Sequence, residues 1–573
     1  MAKAKSGLLS SLWVLFRVVA TVYALLALVV AIAVPVVLYF ALFAGPSITV
    51  ENDVALVWAP VGALTEQVNQ GVPSALIGEL IPGGAQPSVV RRLVQALDRA
   101  ASDPRIKLAF LKLGQLGYAQ PGQLEDLVAA IERFRESGKP VIAWSPSYTQ
   151  AQYRLAAHAD KIYIDPLGHL FLQGFGVYRR YFAQAIDKLG IQIHVFRVGK
   201  YKSFVEPFIR NDMSPAARAA NRTWLGSLWQ NYVQGVGTAR ELAPAEVKAY
   251  VQGFPGALAK ADGMASKVAV DAGLVDALAT PGQVRDRLAK RVGTDPELGA
   301  FRQIGYRNYL RATDKAASRA RTDSTIGLVV VEGPIVMGEG VRGSAGGQTI
   351  ASLVRRARRD ESVAALVLRI NSPGGAVFAA ERIRRQVALT RAAGKPVVVS
   401  MAGMAASGGY WIGMNANQIW AQPSTITGSI GVFGVFPTIG KSLDKIGINT
   451  DGLGTTPLSG ALRLDMPMSP QVEQMLQSGV EFIYQRFIAK VAEARGMDVA
   501  AINQIAQGRV WSGVDAEHLG LVDKLGGLKP ALASAAALAG LQPGDYRVEN
   551  IQPPTDWRAV VLQRLSVHAE LPV

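Results

Sequence analysis

Short runs of aliphatic and β-branched residues alternate with longer amphipathic stretches along most of the chain. "IGLVVV", "AALVLRI", "PVVVS" and "QIWA" read as buried strands, whereas "IASLVRRARR" and "AERIRRQVALTRAA" repeat apolar residues at helical spacing. Such alternation predicts an α/β fold, a parallel sheet with covering helices. The pattern occurs twice. "DPRIKLAFLKL" (103–113) matches "DESVAALVLRI" (360–370), "GKPVIAW" (138–144) matches "GKPVVVS" (394–400), and "AIDKLGI" (185–191) matches "SLDKIGI" (442–448). "DMSP" (212–215) with "PMSP" (467–470), and "AGLVD" (272–276) with "LGLVD" (519–523), continue the series in order. Five ordered blocks make this a tandem duplication. The copies are expected at 46–310 and 326–540, joined by a polar, basic linker at 311–325 and followed by a tail, 541–573.

The N-terminal region breaks the pattern. Val18 to Phe43 carries no charge over 26 residues. At about 1.5 Å per residue this is roughly 39 Å of helix, enough for a hydrocarbon core of about 30 Å. It exceeds the apolar stretch of a cleaved signal peptide, about 7–15 residues, and Pro35 is tolerated in such a helix. Lys3, Lys5 and Arg17 precede it, so residues 1–17 are expected in the cytoplasm and everything after Phe43 across the membrane.

Composition narrows the chemistry. A chain of 573 residues is too long for one core. Without cysteine there are no disulfides, no thiolate catalysis and no cysteine-bound metal. The net charge of +16 is spread over amphipathic segments, as on solvated helix faces. That distribution argues against a nucleic-acid partner and for anionic lipid head groups of a bilayer.

The differences between the copies are more telling than the similarities. The second copy has "RINSPGGAV" where the first has "KLGQLGYAQ", and Ser407 of "MAASGGYWIG" falls opposite Gln150. Conversely, "RVGKYKSFVEPF" (197–208) faces "GLGTTPLSGALR" (452–463), which has no lysine. Each half lacks what the other carries, so one composite site accounts for both. A serine needs a base to become a nucleophile. Of the histidines, His158, His169 and His194 sit in the half without the serine, His518 matches an apolar position of the other copy, and His568 lies in the tail. A buried, neutral lysine serves the same purpose, and Lys202 lies in a segment otherwise rich in apolar residues. The "SLDK" at 442–445 is set aside, because its lysine recurs as Lys188 where the serine position is alanine. "ASGG" opens a helix, and the N–H groups of Gly375 and Gly408 can form an oxyanion hole. A cleft apolar enough to keep a lysine neutral selects apolar side chains, so hydrophobic unfolded peptides are the expected substrates.

"INSPGG", "MAASGGYW", "STITGSIGVFG" and "VGKYKSFVEPF" together resemble the signal peptide peptidase A family, also called protease IV, in its long duplicated form. The similarity runs from the membrane segment to about residue 540. It implies tandem ClpP/crotonase-like domains and a Ser-Lys dyad, with no cofactor and no metal. Carried over by motif, Ser407 is the nucleophile, Lys202, the second lysine of "GKYKS", is the general base, and Ser429 of "TGSIG" orients that lysine. The resemblance also implies a homo-oligomer, a tetramer, on the periplasmic side of a bacterial inner membrane, degrading cleaved signal peptides. Many relatives have an aspartate just before "YAASGG"; this chain has Gly403.

Two other readings use the same features. A crotonase-like acyl-CoA enzyme builds its oxyanion hole from similar glycine loops, but coenzyme A is cytosolic and the apolar segment argues against it. A non-catalytic membrane scaffold leaves Ser407 and Lys202 a coincidence. Labelling by a serine-directed acylating reagent separates the first reading from these.

Overall fold

The branched aliphatic runs fold as strands and the amphipathic runs as the helices that cover them. The computed structural model describes residues 2–43, 48–67, 87–297, 299–317, 324–341 and 343–553. Two compact units divide them. One contains helix α1 (Ala2–Phe43), whose stretch Phe16–Val34 is long and apolar enough to cross a membrane, alone among the described residues. The other is the body, built from Val50–Asn69 and Ala85–Pro553.

In chain order the first copy supplies β1 (Val54–Trp58), β2 (Ile106–Lys112), α2 (Pro121–Glu136), β3 (Val141–Ser145), α3 (Gln150–Ala156) and β4 (Lys161–Ile164). It continues with β5 (Gln192–Val198), α4 (Pro215–Arg240), β6 (Ala277–Leu278), β7 (Gln303–Gly305) and α5 (Tyr306–Ala317). Six of its strands form a parallel sheet in the order β6-β4-β3-β2-β1-β7. The second copy supplies β8 (Ser324–Glu332), β9 (Val363–Ser372), α6 (Val377–Ala392), β10 (Val397–Ala406), α7 (Gly408–Gly413) and β11 (Gln418–Ala421). After these come β12 (Ile426–Gly428), β13 (Val432–Thr438), α8 (Pro470–Arg495), β14 (Val510–Ser512), β15 (Lys524–Leu525) and β16 (Tyr546–Asn550). Its sheet runs β14-β12-β10-β9-β8-β16, with β11 also on β10 and β15 on β11. Only the β12–β14 pair is antiparallel.

Alternation along β8 shows why this sheet needs helices on both faces. Val329 and Val331 join one buried cluster, while Ile326, Leu328 and Val330 join another under the helix Leu528–Leu538. Each such side chain removed from water contributes about 1.5–3 kcal/mol.

Two boundaries differ from the sequence reading. The expected linker begins as helix α5, because Tyr309 and Leu310 are buried and Asp314 pairs with Arg92 and Arg99. The sheet also continues past residue 540, where β16 pairs in parallel with β8 (Val548 opposite Ile326). Residues 318–323 of that linker, and 554–573 of the tail with His568, lie outside the described residues.

The copies are joined in two ways. β5 of the first pairs antiparallel with β13 of the second, from Gln192 opposite Thr438 to Val198 opposite Val432. In the matching repeat positions neither copy has its own partner strand, so the ribbon is a joint product. The second junction is polar and buried. Arg369 on β9, 1% exposed, donates to Glu66 at 2.9 Å, to Asp126 on α2, and to Ser400 Oγ at 2.9 Å. Asp126 also accepts from Gln422 Nε2 and the Leu528 N–H, and Glu66 from Gln123. Burial pulls Arg369 down, and the carboxylates of Asp126 and Glu66 more than reverse this, holding it above its ordinary value. Gly403 belongs to the same seam. A Cβ there would come 1.8 Å from Gln120 Oε1, so the first copy fills that space.

Candidate active site

Strand β10 is twice as long as its counterpart β3, and the extra half carries the site. Its first half pairs with β11, from Val398 opposite Gln418 to Met401 opposite Ala421. Its second half pairs with β12, and Ala406 lies opposite Gly428. Ser407 and Ser429 therefore leave two adjacent strand ends side by side. The Ser407 N–H donates to the Gly428 carbonyl at 2.9 Å. Both serines have positive φ, 54° and 51°, and Ser407 has ψ −116° before α7 begins. L-residues avoid this region, at a cost of about 1–3 kcal/mol each, so the surrounding hydrogen bonds hold the two side chains in these positions.

Lys202 arrives from the other copy, four residues past the end of β5. Its N–H donates to Gly199 O at 3.0 Å, and that of Tyr201 to Gln507 O at 2.9 Å. Gly508 has φ 76°, and a Cβ on it would lie 2.7 Å from the Lys202 backbone nitrogen, so backbone presses on backbone here. The same loop reaches the serine side: Ser429 N–H donates to Arg509 O and Gly508 N–H to Ile430 O. Residues 506–509 thus clamp the lysine turn to the Ser429 turn. Lys202 Nζ ends 3.1 Å from Ser407 Oγ, 3.0 Å from Ser429 Oγ and 2.9 Å from Ser429 O. Lys202 is 5% exposed, and burial alone lowers its pKa to about 7.

Gly375 and Gly408 also meet. Gly375 bridges Ile335, and a Cβ on Gly408 would come 3.0 Å from the Gly375 nitrogen, so the two amides are neighbours. Neither N–H has a hydrogen-bond partner among the described residues. All five residues singled out in the sequence therefore converge on one spot.

The rejected groups lie elsewhere. His158 pairs with Glu132 and Arg154, and His194 with Glu473 and Thr438. Ser442 and Lys445 of "SLDK" hydrogen-bond the carbonyls of Leu189 and Lys188, joining equivalent turns of the two copies. Sequence reasoning missed the 506–509 clamp and the Arg369 cluster. "AQGR" carries the signature of an ordinary turn, and a lone arginine in a strand gives no sign of its carboxylates, Glu66 and Asp126, 303 and 243 residues away.

The model of peptidase family S49 matches residues 133–295 and 390–542, one region in each copy. The chain belongs to peptidase family S49. Protease 4 of Salmonella typhi is 46% identical over 456 residues, 78% of this chain and 72% of that one. Protease 4 of Haemophilus influenzae is 39% identical over 469 residues, 82% and 75% of the respective chains. A solved ClpP1 mutant from Listeria monocytogenes aligns with 38% of this chain and 98% of its own, at 15% identity and TM-score 0.25. Membership of S49 makes the chain a serine peptidase, and the resemblance read from its four motifs holds. The tandem α/β class, one S49 region per sheet, holds with it.

Proposed function

We propose that this S49 peptidase is a membrane-anchored Ser-Lys endopeptidase that degrades cleaved signal peptides and other hydrophobic, unfolded peptides. The contact of Lys202 Nζ with Ser407 Oγ at 3.1 Å, in a buried setting, carries the reading. As a neutral amine, Lys202 has two N–H bonds and one lone pair. The Ser429 carbonyl can only accept, so it takes one N–H, and Ser429 Oγ takes the other. The lone pair is left facing the Ser407 hydroxyl. Lys202 removes that proton as Oγ attacks the scissile carbonyl, and the N–H groups of Gly375 and Gly408 receive the oxyanion. The resulting ammonium protonates the leaving amine, and the acyl-enzyme is then hydrolysed by water with the same base.

The cycle sets the pH dependence. Lys202 must be neutral to act, and burial holds it at about 7 against an ordinary 10.5. kcat/KM for a soluble apolar peptide should therefore rise through pH about 7 and stay level above it. A rate still climbing at pH 10 removes Lys202 from the role of base.

Topology and substrates complete the proposal. With Lys3, Lys5 and Arg17 on the cytoplasmic side, the helix from Val18 to Phe43 spans the bacterial inner membrane and the body faces the periplasm as a homo-oligomer. Protease added to intact spheroplasts should then digest the body; digestion only in inverted vesicles reverses the orientation. A site held beside a bilayer and lined to keep an amine neutral meets apolar segments released there. The decisive experiment incubates the enzyme with a leucine-rich signal peptide and a charged peptide of equal length, followed by mass spectrometry. The leucine-rich peptide should disappear first, and equal loss of the charged one sinks the substrate assignment.

A further inference from the structure

The copy that lacks the serine retains a hollow where the other has its catalytic centre. Tyr153 and Tyr410 both donate to matching repeat carbonyls, those of Leu274 and Leu521, which makes Gln150 and Ala151 the counterparts of Ser407 and Gly408. In the same register Gly375 falls opposite Tyr118, and Ala119 follows it just before α2. Ala119, Gln150 and Ala151 all line one cavity of about 160 Å³. At about 30 Å³ per water-sized group it has room for about five, the size of a small or medium apolar side chain with a carboxylate.

Its walls have a definite chemistry. Leu124, Phe175 and Leu228 are apolar. Asn231 Nδ2, also on the wall, is buried without a hydrogen-bond partner among the described residues. The Arg154 guanidinium lies against α4 at Gly235, where a Cβ would come 2.5 Å from Nη2, and one of its nitrogens meets His158 Nε2 at 2.5 Å. Gln150 is no competitor for these donors: its Oε1 accepts from the N–H groups of Gln173 and Gly174. The one carboxylate lining the cavity, Glu125, accepts from both the N–H and the Oγ of Ser424, and burial pushes it up to about 7. The hollow therefore offers one unused donor, Asn231 Nδ2, and the Arg154 guanidinium, which also faces Glu125 and Glu132, beside apolar walls.

We propose that this cavity is a second, non-catalytic peptide site. It takes the C-terminal residue of an apolar peptide, with the carboxylate on Asn231 Nδ2 and the Arg154 guanidinium and the side chain against Leu124, Phe175 and Leu228. That such termini reach it as cleavage products rests on the function proposed above; the recognition itself rests on the cavity.

The test uses the full chain in detergent, carrying Ser407→Ala so that the probe is not consumed. Isothermal titration compares an N-acetylated apolar pentapeptide bearing a free C-terminal carboxylate with the same peptide as its C-terminal amide. The carboxylate should bind at least tenfold more tightly. Asn231→Asp, which keeps the side-chain shape but replaces a donor with an acceptor, should erase that preference. Ala151→Phe should block the hollow. Both substitutions, placed in the active parent, should leave cleavage of a leucine-rich peptide within about twofold. Equal binding of the two peptides, or a preference that survives both substitutions, overturns the proposal. Cleavage persisting in Ser407→Ala overturns the functional reading instead, and the binding comparison still decides this one.

Discussion

Lys202→Met is expected to reduce peptide hydrolysis by about 10⁴-fold or more, and Ser407→Ala to do the same. Without a base 3.1 Å away, the serine hydroxyl keeps its proton at neutral pH, and no histidine among the described residues is placed to replace it. Because the pair acts as a unit, the double variant should be no worse than either single one. Lys200→Ala is the control: that side chain lies over the Tyr201 ring, 5.0 Å from its centre, and most activity should remain. Loss in Lys200→Ala with activity in Lys202→Met would transfer the role. Stability should move the other way. Holding an amine at about 7 rather than 10.5 costs on the order of 5 kcal/mol near neutral pH. Between those two values the unfolded chain binds a proton that the folded chain does not, so this penalty shrinks as pH rises across that window. Lys202→Met, relieved of the penalty, should melt above the parent at pH 7 and lose most of that advantage by pH 10.

The second large effect lies at the seam between the copies. Arg369→Leu leaves Glu66 and Asp126 buried without their cation, a change that typically costs about 3–5 kcal/mol. Thermal unfolding of the full chain should show a clear drop in midpoint. Adding Glu66→Gln and Asp126→Asn should recover most of it, because the residual charge, rather than the lost contact, carries the cost. Activity should fall with stability, since β9 leads through Asn371 into the "SPGG" turn, and Asn371 Oδ1 accepts from the Met404 N–H just before Ser407. An unchanged midpoint would mean that the Arg369 cation does not hold this seam together.

Whereas Ser429 was singled out only through the family resemblance, the duplication, the strand and helix runs and the complementary losses at Ser407 and Lys202 were legible in the sequence for a common reason. Each is expressed either as a local period or as a difference between two aligned copies. Ser407 opposite Gln150, and Lys202 opposite a stretch without lysine, say that the halves complement one another before any contact is known. What could not be read depends on pairings between distant residues with no local mark. β5 and β13 look like ordinary strands, and nothing in "QIHVFRV" or "VFGVFPT" says that they pair with each other across the copies. The start of the expected linker is helical for a similar reason, because Asp314 finds Arg92 and Arg99 from far upstream.

The split of the proposed dyad between copies has a consequence during synthesis. Lys202 and Ser407 are 205 residues apart in the chain. At about 5–20 residues per second, the ribosome needs roughly 10–40 s to travel from one to the other. Throughout that interval the β5 edge has no β13 to pair with, and the Lys202 amine has no Ser407 hydroxyl beside it. On the proposed dyad, a growing chain is thus harmless to other unfolded polypeptides and to itself. The chemistry switches on only when the last contributing segment emerges and the two halves close on one another.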